Sequence, residues 1–237
     1  MKKIIREISF FLPAYNEEKN IEKSVKDVKS VLERISQRYE VIIIDDGSKD
    51  KTGSIADELH KKYKDKVRVV HHKPNRGYGG ALKSGFEASK FEWVAFADSD
   101  GQFDYSEIIK FIEKQKATGA DLVLGIRSQR ADPMIRKLFT LVWSKILPRI
   151  LLGLKVTDYS CGFKLIRKQV YDKVQPLIGE EKVTQIEFLT KAQRAGFKFS
   201  EIRIKHLPRV YGHQTGADIK VILKSVRDLL KLWYQLR

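Results

Sequence analysis

Two aspartates close to each other in the chain follow an apolar run. Asp98 and Asp100 flank Ser99 directly after residues 93–97, and Gln102 lies two residues further on. Carboxylate and amide oxygens are hard ligands, of the kind that Mg²⁺ or Mn²⁺ takes when the ion also carries substrate phosphates. Asp98, Asp100 and Gln102 are therefore candidate metal ligands. The alternative is a polar turn that caps the following helix.

A second acidic pair favours the metal site over the turn. Asp45 and Asp46 follow another apolar run, residues 41–44. If both runs are parallel strands, their carboxyl ends meet at one edge of the sheet. Carboxylates gathered there repel one another unless a cation or a basic group neutralises them. The pattern therefore predicts a cation site in one crevice.

Apolar runs and amphipathic stretches alternate along the chain and predict strands and helices. Strands are predicted at residues 8–12, 41–44, 67–70, 93–97, 121–124, 162–166 and 199–204. Helices are predicted at residues 17–38, from 52 onward, and at 77–88, 105–116, 185–195 and 217–237. Repeated strand–helix units predict an α/β fold, with a mostly parallel sheet and helices on both faces.

The composition is that of a folded protein that attracts anions. The 237 residues are 42% apolar, and 46 Lys and Arg outnumber 30 Asp and Glu to give a net charge of +16. Nucleic acid, acidic lipid headgroups and phosphorylated small molecules are all candidate partners. The single cysteine, Cys161, excludes an internal disulfide and is typical of a reducing compartment. No stretch reaches the roughly 18 apolar residues of a membrane-spanning helix.

Six segments together resemble a known enzyme family. Residues 11–18, 44–52, 75–82 and 98–102 read FLPAYNEE, IDDGSKDKT, NRGYGGAL and DSDGQ. Their order and spacing resemble the family 2 glycosyltransferases. Residues 158–164 and 209–212 read DYSCGFK and RVYG. These two resemble the polyprenyl-phosphate sugar transferases of the dolichol-phosphate mannose synthase group.

The resemblance implies a GT-A nucleotide-sugar-binding fold and inverting transfer of a hexose from GDP- or UDP-hexose to polyprenyl (dolichyl) phosphate. It implies Asp98, Asp100 and Gln102 as ligands of Mg²⁺ or Mn²⁺. It places Arg127 and Arg209 against the acceptor phosphate or the diphosphate, as catalytic residues with the two aspartates. A surface ion pair is an equal alternative for Arg127. The implied nucleoside-binding residues are Pro13, Ala14, Tyr15, Glu17, Asp46 and Ser48.

The chain departs from the family pattern at two places. Tyr78 stands where the family often has Lys, and Gln214-Thr215 follow His213 where it usually has Ser-Lys. Both changes remove polar or cationic phosphate contacts. His71 and His72 end the third predicted strand, and without visible partners they are interpreted as neutral or solvated rather than as metal ligands.

We expect one catalytic domain at residues 1–216, followed by an amphipathic helix at 217–237. The nucleotide-sugar half covers about 1–130 and the acceptor half about 131–216. In the last helix, cations recur beside an apolar face formed by Ile219, Ile222, Leu223, Val226, Leu229, Leu230, Trp233 and Leu236. With the basic, apolar segment 134–156, this helix predicts peripheral docking on the cytoplasmic face of a membrane. The alternative is a helix whose apolar face packs on the core.

Two rival functions stay open. One is a family 2 glycosyltransferase with a soluble or glycan acceptor. The other is a nucleic-acid-binding protein, which the charge favours. A nucleic-acid-binding surface is expected to combine cations with stacking aromatic side chains. In this chain the cations are spread widely and carboxylates occupy the predicted strand ends, so no nucleic-acid partner is expected. The base, the sugar and the need for a membrane partner subunit are not determined by the sequence.

Overall fold

The computed structural model describes residues 3–127, 147–179, 183–209, 211 and 219–236. The strands are β1 Ile5–Ala14, β2 Ser36–Asp45, β3 Val67–His71, β4 Trp93–Phe96, β5 Leu122–Arg127, β6 Lys164–Arg167 and β7 Phe199–Ile204. The helices are α1 Ile21–Ile35, α2 Thr52–Tyr63, α3 Gly77–Ala88, α4 Ile108–Thr118, α5 Leu147–Leu152, α6 Lys168–Val174, α7 Val183–Arg194 and α8 Ile219–Gln235. Short 3₁₀ turns lie at Lys64–Lys66 and Tyr105–Glu107.

All seven described strands form one sheet in the order β3-β2-β1-β4-β6-β5-β7. β6 runs antiparallel to both of its neighbours, β4 and β5, and the other pairs are parallel. The predicted α/β class with a mostly parallel sheet is confirmed. Strands from both predicted halves of the chain share this sheet, because β6 lies between β4 and β5.

The sheet is covered on both faces because its central strands alternate their apolar side chains between two clusters. In β1, Phe10 and Leu12 belong to one cluster and Phe11 to the other, and all three are fully buried. In β2, Ile43 and Ile44 divide in the same way. Continuous apolar runs are typical of parallel strands buried on both faces. The polar groups that matter for chemistry therefore gather at the strand ends.

The first helix is shorter than the sequence predicts. It begins at Ile21 and ends at Ile35, so the predicted bounds 17–38 are wrong. Ser36 has an extended backbone, and its hydroxyl donates to the carbonyl of Leu32 at 2.6 Å. A side chain that takes over a helix-terminal carbonyl favours termination. β2 therefore starts at Ser36, opposite Ile5.

The C-terminal helix packs part of its apolar face on the protein. α8 contacts α5 and α7, and Leu229 and Leu232 are buried in the core. This packing is the alternative named for the helix. Leu230 and Tyr234 stay 48% and 79% exposed. Residues 134–146 of the second basic segment lie outside the described residues. Within the described part of the chain, no helix has the length and apolarity to cross a bilayer.

Candidate active site

The ends of three neighbouring parallel strands form the edge that carries the site. In the register of the sheet, Ala14 of β1 lies opposite Asp45 of β2, and Phe11 lies opposite Phe96 of β4. The loop after β4 is tied to β1, because the Ser99 hydroxyl donates to the carbonyl of Pro13 at 2.7 Å. The register therefore brings the polar segments that follow β1, β2 and β4 to one edge of the sheet, as the sequence predicts.

Asp98 and Asp100 lie in the turn after β4 with defined partners. The Tyr78 hydroxyl donates to Oδ1 of Asp98 at 2.9 Å, and the Gln102 amide N–H donates to Oδ1 of Asp100 at 3.1 Å. Burial, and then the charge of Asp98, raise the pKa of Asp100 to about 7. The turn therefore holds two carboxylates at an edge that is poor in water.

Arg209 joins this turn to the loop after β1. One terminal nitrogen donates to Oε1 of Glu17 at 2.6 Å, and the other lies 3.6 Å from Oδ2 of Asp100. Its Nε donates to the carbonyl of Tyr211 at 2.7 Å. We call Glu17, Asp98 and Asp100 the acidic cluster. A guanidinium against such a cluster balances part of its charge.

The side-chain oxygens at this edge of the sheet fit a divalent cation that is shared with a substrate. In the described residues, no three His, Cys, Asp or Glu side chains converge into a complete metal cage. Mg²⁺ commonly takes one or two carboxylates and completes its shell with water and phosphate oxygens. Asp98 and Asp100 supply such carboxylates. The side-chain nitrogen of Gln102 donates to the carbonyl of Leu207 at 3.1 Å, which leaves its amide oxygen available as a further hard ligand atom.

Asp45 and Asp46 each contact a histidine at the end of β3 or directly after it. Oδ2 of Asp45 lies 2.8 Å from Nδ1 of His71, and Oδ1 of Asp46 lies 2.6 Å from Nδ1 of His72. The sequence predicts neutral or solvated histidines, and for His72 the solvated alternative is wrong, because the residue is only 5% exposed. The parallel register places Asp45 opposite His71, which explains how these partners meet.

The predicted nucleoside-binding residues lie at the end of β1, in the loop that follows it and in the loop after β2. The Asn16 amide N–H donates to Oγ of Ser48 at 3.0 Å, and the Glu17 amide N–H donates to Oγ1 of Thr52 at 2.8 Å. The Asp46 amide N–H donates to the carbonyl of Ala14 at 2.9 Å. Tyr15, in contrast, is 42% exposed. These bonds fasten the segment after β1 to the segment after β2 and leave the Tyr15 ring exposed beside them.

Arg127 forms the ion pair that the sequence left as an equal alternative. Its Nε and one terminal nitrogen donate to the two oxygens of Asp158, both at 2.8 Å, and that nitrogen also donates to Ser160 at 2.7 Å. A paired geometry of this kind is strong and directional. Arg127 thus anchors the segment 158–162 to the end of β5.

The segment 158–162 forms the wall behind Asp98. An added Cβ on Gly162 would lie 2.2 Å from Oδ2 of Asp98, so any other residue there would displace the Asp98 carboxylate. Below it, the buried Lys164 ammonium donates to the carbonyl of Tyr159 at 3.0 Å and also to the carbonyl of Cys161 and the side chain of Gln185. Burial lowers the pKa of Lys164 to about 8. Cys161 is fully buried, as expected of a small apolar residue.

Comparison with known proteins identifies the family of this site. The profile of glycosyl transferase family 2 matches residues 9–175, which include the acidic cluster, both Asp–His pairs and the wall behind Asp98. The chain belongs to glycosyl transferase family 2. One relative is the glycosyltransferase AglD of Haloferax volcanii, which is 30% identical over 238 residues and 97% of this chain.

Another relative is the undecaprenyl-phosphate 4-deoxy-4-formamido-L-arabinose transferase of Pseudomonas fluorescens. It is 27% identical over 221 residues and 91% of this chain. The chain spans 37% of the length of the Haloferax protein and 61% of the Pseudomonas protein.

A solved structure confirms the fold. Glucosyl-3-phosphoglycerate synthase of Mycobacterium tuberculosis, crystallised with Mn²⁺, UDP and glucosyl-3-phosphoglycerate, superposes with a TM-score of 0.70. It is 22% identical, and the match covers 96% of this chain and 80% of that one. The GT-A type of α/β fold expected from the family resemblance is therefore the fold of this chain.

The sequence does not predict the contacts of three residues in this family 2 site. Tyr78 stands where the family often has Lys, and its hydroxyl binds Asp98. Gly162 is visible only as part of a motif, and no partner for His72 can be found from the pattern alone. The glycine within Cys161-Gly162-Phe163 is the one available signal, because a glycine beside buried residues often marks a close approach. His213, Gln214 and Thr215 lie outside the described residues.

Proposed function

We propose that this protein is an inverting glycosyltransferase that moves a hexose from GDP- or UDP-hexose to a polyprenyl phosphate. The observation that carries this proposal is the acidic cluster with Gln102 and Arg209 at the carboxyl edge of the parallel sheet. The named activity of the Pseudomonas relative, transfer involving undecaprenyl phosphate, supports the lipid acceptor. The catalytic domain would span residues 1–216.

Asp98, Asp100 and Gln102 would hold Mg²⁺ or Mn²⁺, whose chemical contribution is to neutralise the diphosphate leaving group. The Tyr78 hydroxyl and Gly162 fix the position of Asp98, from two sides. Asp46 and Ser48, with Pro13, Ala14 and Tyr15, form the nucleoside side of the cleft. Glu17, which accepts from Arg209, would bind the nucleotide at the diphosphate end of this cleft.

The acceptor needs little activation. A phosphate monoester is already anionic near neutral pH, so its oxygen can attack the anomeric carbon without a strong general base. Positive charge must instead guide two anions towards each other. Arg209 is placed for this role, because its guanidinium already spans Glu17 and Asp100. Arg127 would act on the acceptor through the segment 158–162 that it holds.

Arg209→Lys is expected to lower kcat/KM about tenfold or more, although the charge is kept. The guanidinium contacts three oxygen-bearing groups, namely the carboxylates of Glu17 and Asp100 and the carbonyl of Tyr211. A single ammonium nitrogen cannot reproduce that span or grip a phosphate through paired bonds. Initial rates with nucleotide sugar, Mn²⁺ and polyprenyl phosphate measure the loss.

Arg167→Lys is the matched control. Arg167 also faces two acidic residues, Glu92 and Asp121, but it lies opposite Trp93 at the other end of the sheet. Its substitution should leave the rates unchanged. Equal rates for Arg209→Lys and the unaltered protein would contradict the assignment of Arg209.

We further propose that the protein docks as a peripheral protein on the cytoplasmic face of a membrane, through residues 217–237. Leu229 and Leu232 are buried in the core, and among the described side chains of this helix, residues 227–235, the large exposed apolar ones are Leu230 and Tyr234. Exposed cations, Arg227 and Lys231, lie on the same helix. Apolar insertion and attraction to anionic headgroups would act together there.

Liposome flotation tests the docking. Binding to anionic vesicles should exceed binding to neutral ones and weaken as salt screens the charges. A Leu230→Asn/Tyr234→Asn double variant should lose most of the binding, since both side chains are exposed and the core contacts of α8 are kept. Ile178→Asn, at another exposed apolar residue, is the control. An intact protein that stays off anionic vesicles at low salt would contradict docking and favour a soluble acceptor.

A further inference from the structure

Asp46 is buried, and its two oxygens differ in their surroundings. Oδ1 accepts from Nδ1 of His72 at 2.6 Å and from the Arg76 amide N–H at 2.9 Å. Among the described residues, none donates a hydrogen bond to Oδ2. The side chain is nevertheless only 6% exposed. Oδ2 is therefore an acceptor on a fixed, mostly buried side chain, and a ligand that brings a donor can use it.

The second ring nitrogen of His72 also has a partner. Its Nε2 lies 2.9 Å from Oγ of Ser84, and Oγ also accepts from a terminal nitrogen of Arg76 at 3.2 Å. One arrangement of protons satisfies this chain of contacts. The carboxylate only accepts, so Nδ1 of His72 carries the proton. Nε2 then accepts from the Ser84 hydroxyl, and the Ser84 oxygen accepts from Arg76.

The backbone around Asp46 is fixed as well. The Asn75 side chain donates to the carbonyl of Asp46 at 2.6 Å. Gly47 has a φ of +70°, and an added Cβ would lie 2.8 Å from the amide nitrogen of Asn75. The loop after β2 and the loop before α3 are thus locked together. Rotation of the Asp46 carboxylate would break two hydrogen bonds on Oδ1, so Oδ2 keeps one orientation.

We propose that His72, held by Ser84 and Arg76, is the positioning residue that makes Asp46 selective for the nucleobase of the donor. With Oδ1 saturated, Oδ2 is the single acceptor offered to a base. Uracil and guanine present a ring N–H to such an acceptor. Adenine and cytosine present a ring nitrogen lone pair, which a carboxylate repels. This inference rests on the proposed function, in which Asp46 lies on the nucleoside side of the cleft.

Two variants of His72 separate positioning from packing. His72→Phe keeps the ring volume and removes both nitrogens, so Asp46 loses a donor and gains freedom to rotate. His72→Asn keeps a donor, because the amide nitrogen of Asn occupies nearly the same place as Nδ1. Ser84→Ala removes the hydroxyl that selects the tautomer of His72 and that also accepts from Arg76. His60→Phe is the control, since that ring contacts the carbonyl of Val67 on another part of the chain.

Calorimetric Kd values for UDP, GDP, ADP, CDP and pyrophosphate, all with Mn²⁺, test the inference. His72→Phe should weaken binding of the preferred nucleotide about tenfold and reduce its preference over ADP and CDP. Pyrophosphate, which has no base, should bind as before. His72→Asn should stay within about threefold of the unaltered protein, and Ser84→Ala should fall between the two. Thermal unfolding checks that each variant is folded.

The results separate this inference from the proposed function. If the unaltered protein and His72→Phe discriminate equally among the four nucleotides, the inference is wrong while the proposed function stands. The inference is equally wrong if pyrophosphate binding falls in step with nucleotide binding, because the effect would then be structural. If His72→Phe does not fold, Ser84→Ala decides through the same Kd ratios. An unaltered protein that binds none of the nucleotides would overturn both.

Discussion

Asp100→Asn is expected to lower kcat about 10²- to 10³-fold and to raise the Mn²⁺ concentration needed for half-maximal rate. The substitution keeps the size of the side chain and the acceptor for the Gln102 amide, which bonds to Oδ1 at 3.1 Å. It removes one charge from the acidic cluster, where a cation would need it. Rates across a Mn²⁺ titration, together with calorimetric binding of UDP and Mn²⁺, measure both effects.

Asp104→Asn is the matched control for this charge. Asp104 lies four residues further along, is exposed, and accepts from the amide and hydroxyl of Ser106 at 3.0 and 2.6 Å. Its loss of charge should change neither rate nor Mn²⁺ dependence. A chelator should stop turnover by the unaltered protein. Full activity of Asp100→Asn in the presence of chelator would contradict the metal assignment.

Gly162→Ala is expected to lower kcat about 10²-fold, because a displacement near 1 Å of a reacting group costs that much. The new methyl group would lie 2.2 Å from Oδ2 and 2.5 Å from Cγ of Asp98. Asp98 must then leave its place and strain its bond with Tyr78. The φ of Gly162 is not positive, so backbone strain adds nothing. Activity and Mn²⁺ dependence should change together.

Cys161→Ala separates this displacement from general damage to the loop. Cys161 is the adjacent, fully buried residue, and its sulfur lies near the carbonyl of Phe163. A small loss of stability and nearly full activity are expected from it. If Gly162→Ala were as active as Cys161→Ala, Asp98 would not need its present position.

The elements that depend on local pattern are predictable from the sequence. The helix at 77–88 and the strand at 199–204 have the bounds that their periodicity indicates. The predicted end of α1 is wrong because the Ser36 hydroxyl bonds back to the carbonyl of Leu32. The sequence pattern shows only weakly whether residues 36–38 continue the helix or begin the strand. The place of β6 is not predictable, because its antiparallel pairing with β4 and β5 joins segments far apart in the chain.

In the candidate site too, some residues are predictable from the sequence and others are not. The turn residues Asp98 and Asp100 stand out because strand ends in such folds gather ligands. Their partners do not, since Arg209 reaches Glu17 across 192 positions and Tyr78 reaches Asp98 from the start of α3. A sequence shows which groups need a counter-charge, and only the tertiary fold shows which residue supplies it.

Transfer of labelled sugar into lipid tests the central claim most directly. The protein is incubated with Mn²⁺, polyprenyl phosphate and each of a panel of UDP- and GDP-hexoses, and the label is then partitioned between organic and aqueous phases. We expect label from one donor in the organic phase, and none when chelator is added or the acceptor is omitted. Asp100→Asn should lower the initial rate of labelling about 10²-fold or more. Label that enters a soluble glycan or phosphate acceptor, with none in the lipid for any donor, would contradict the proposed acceptor.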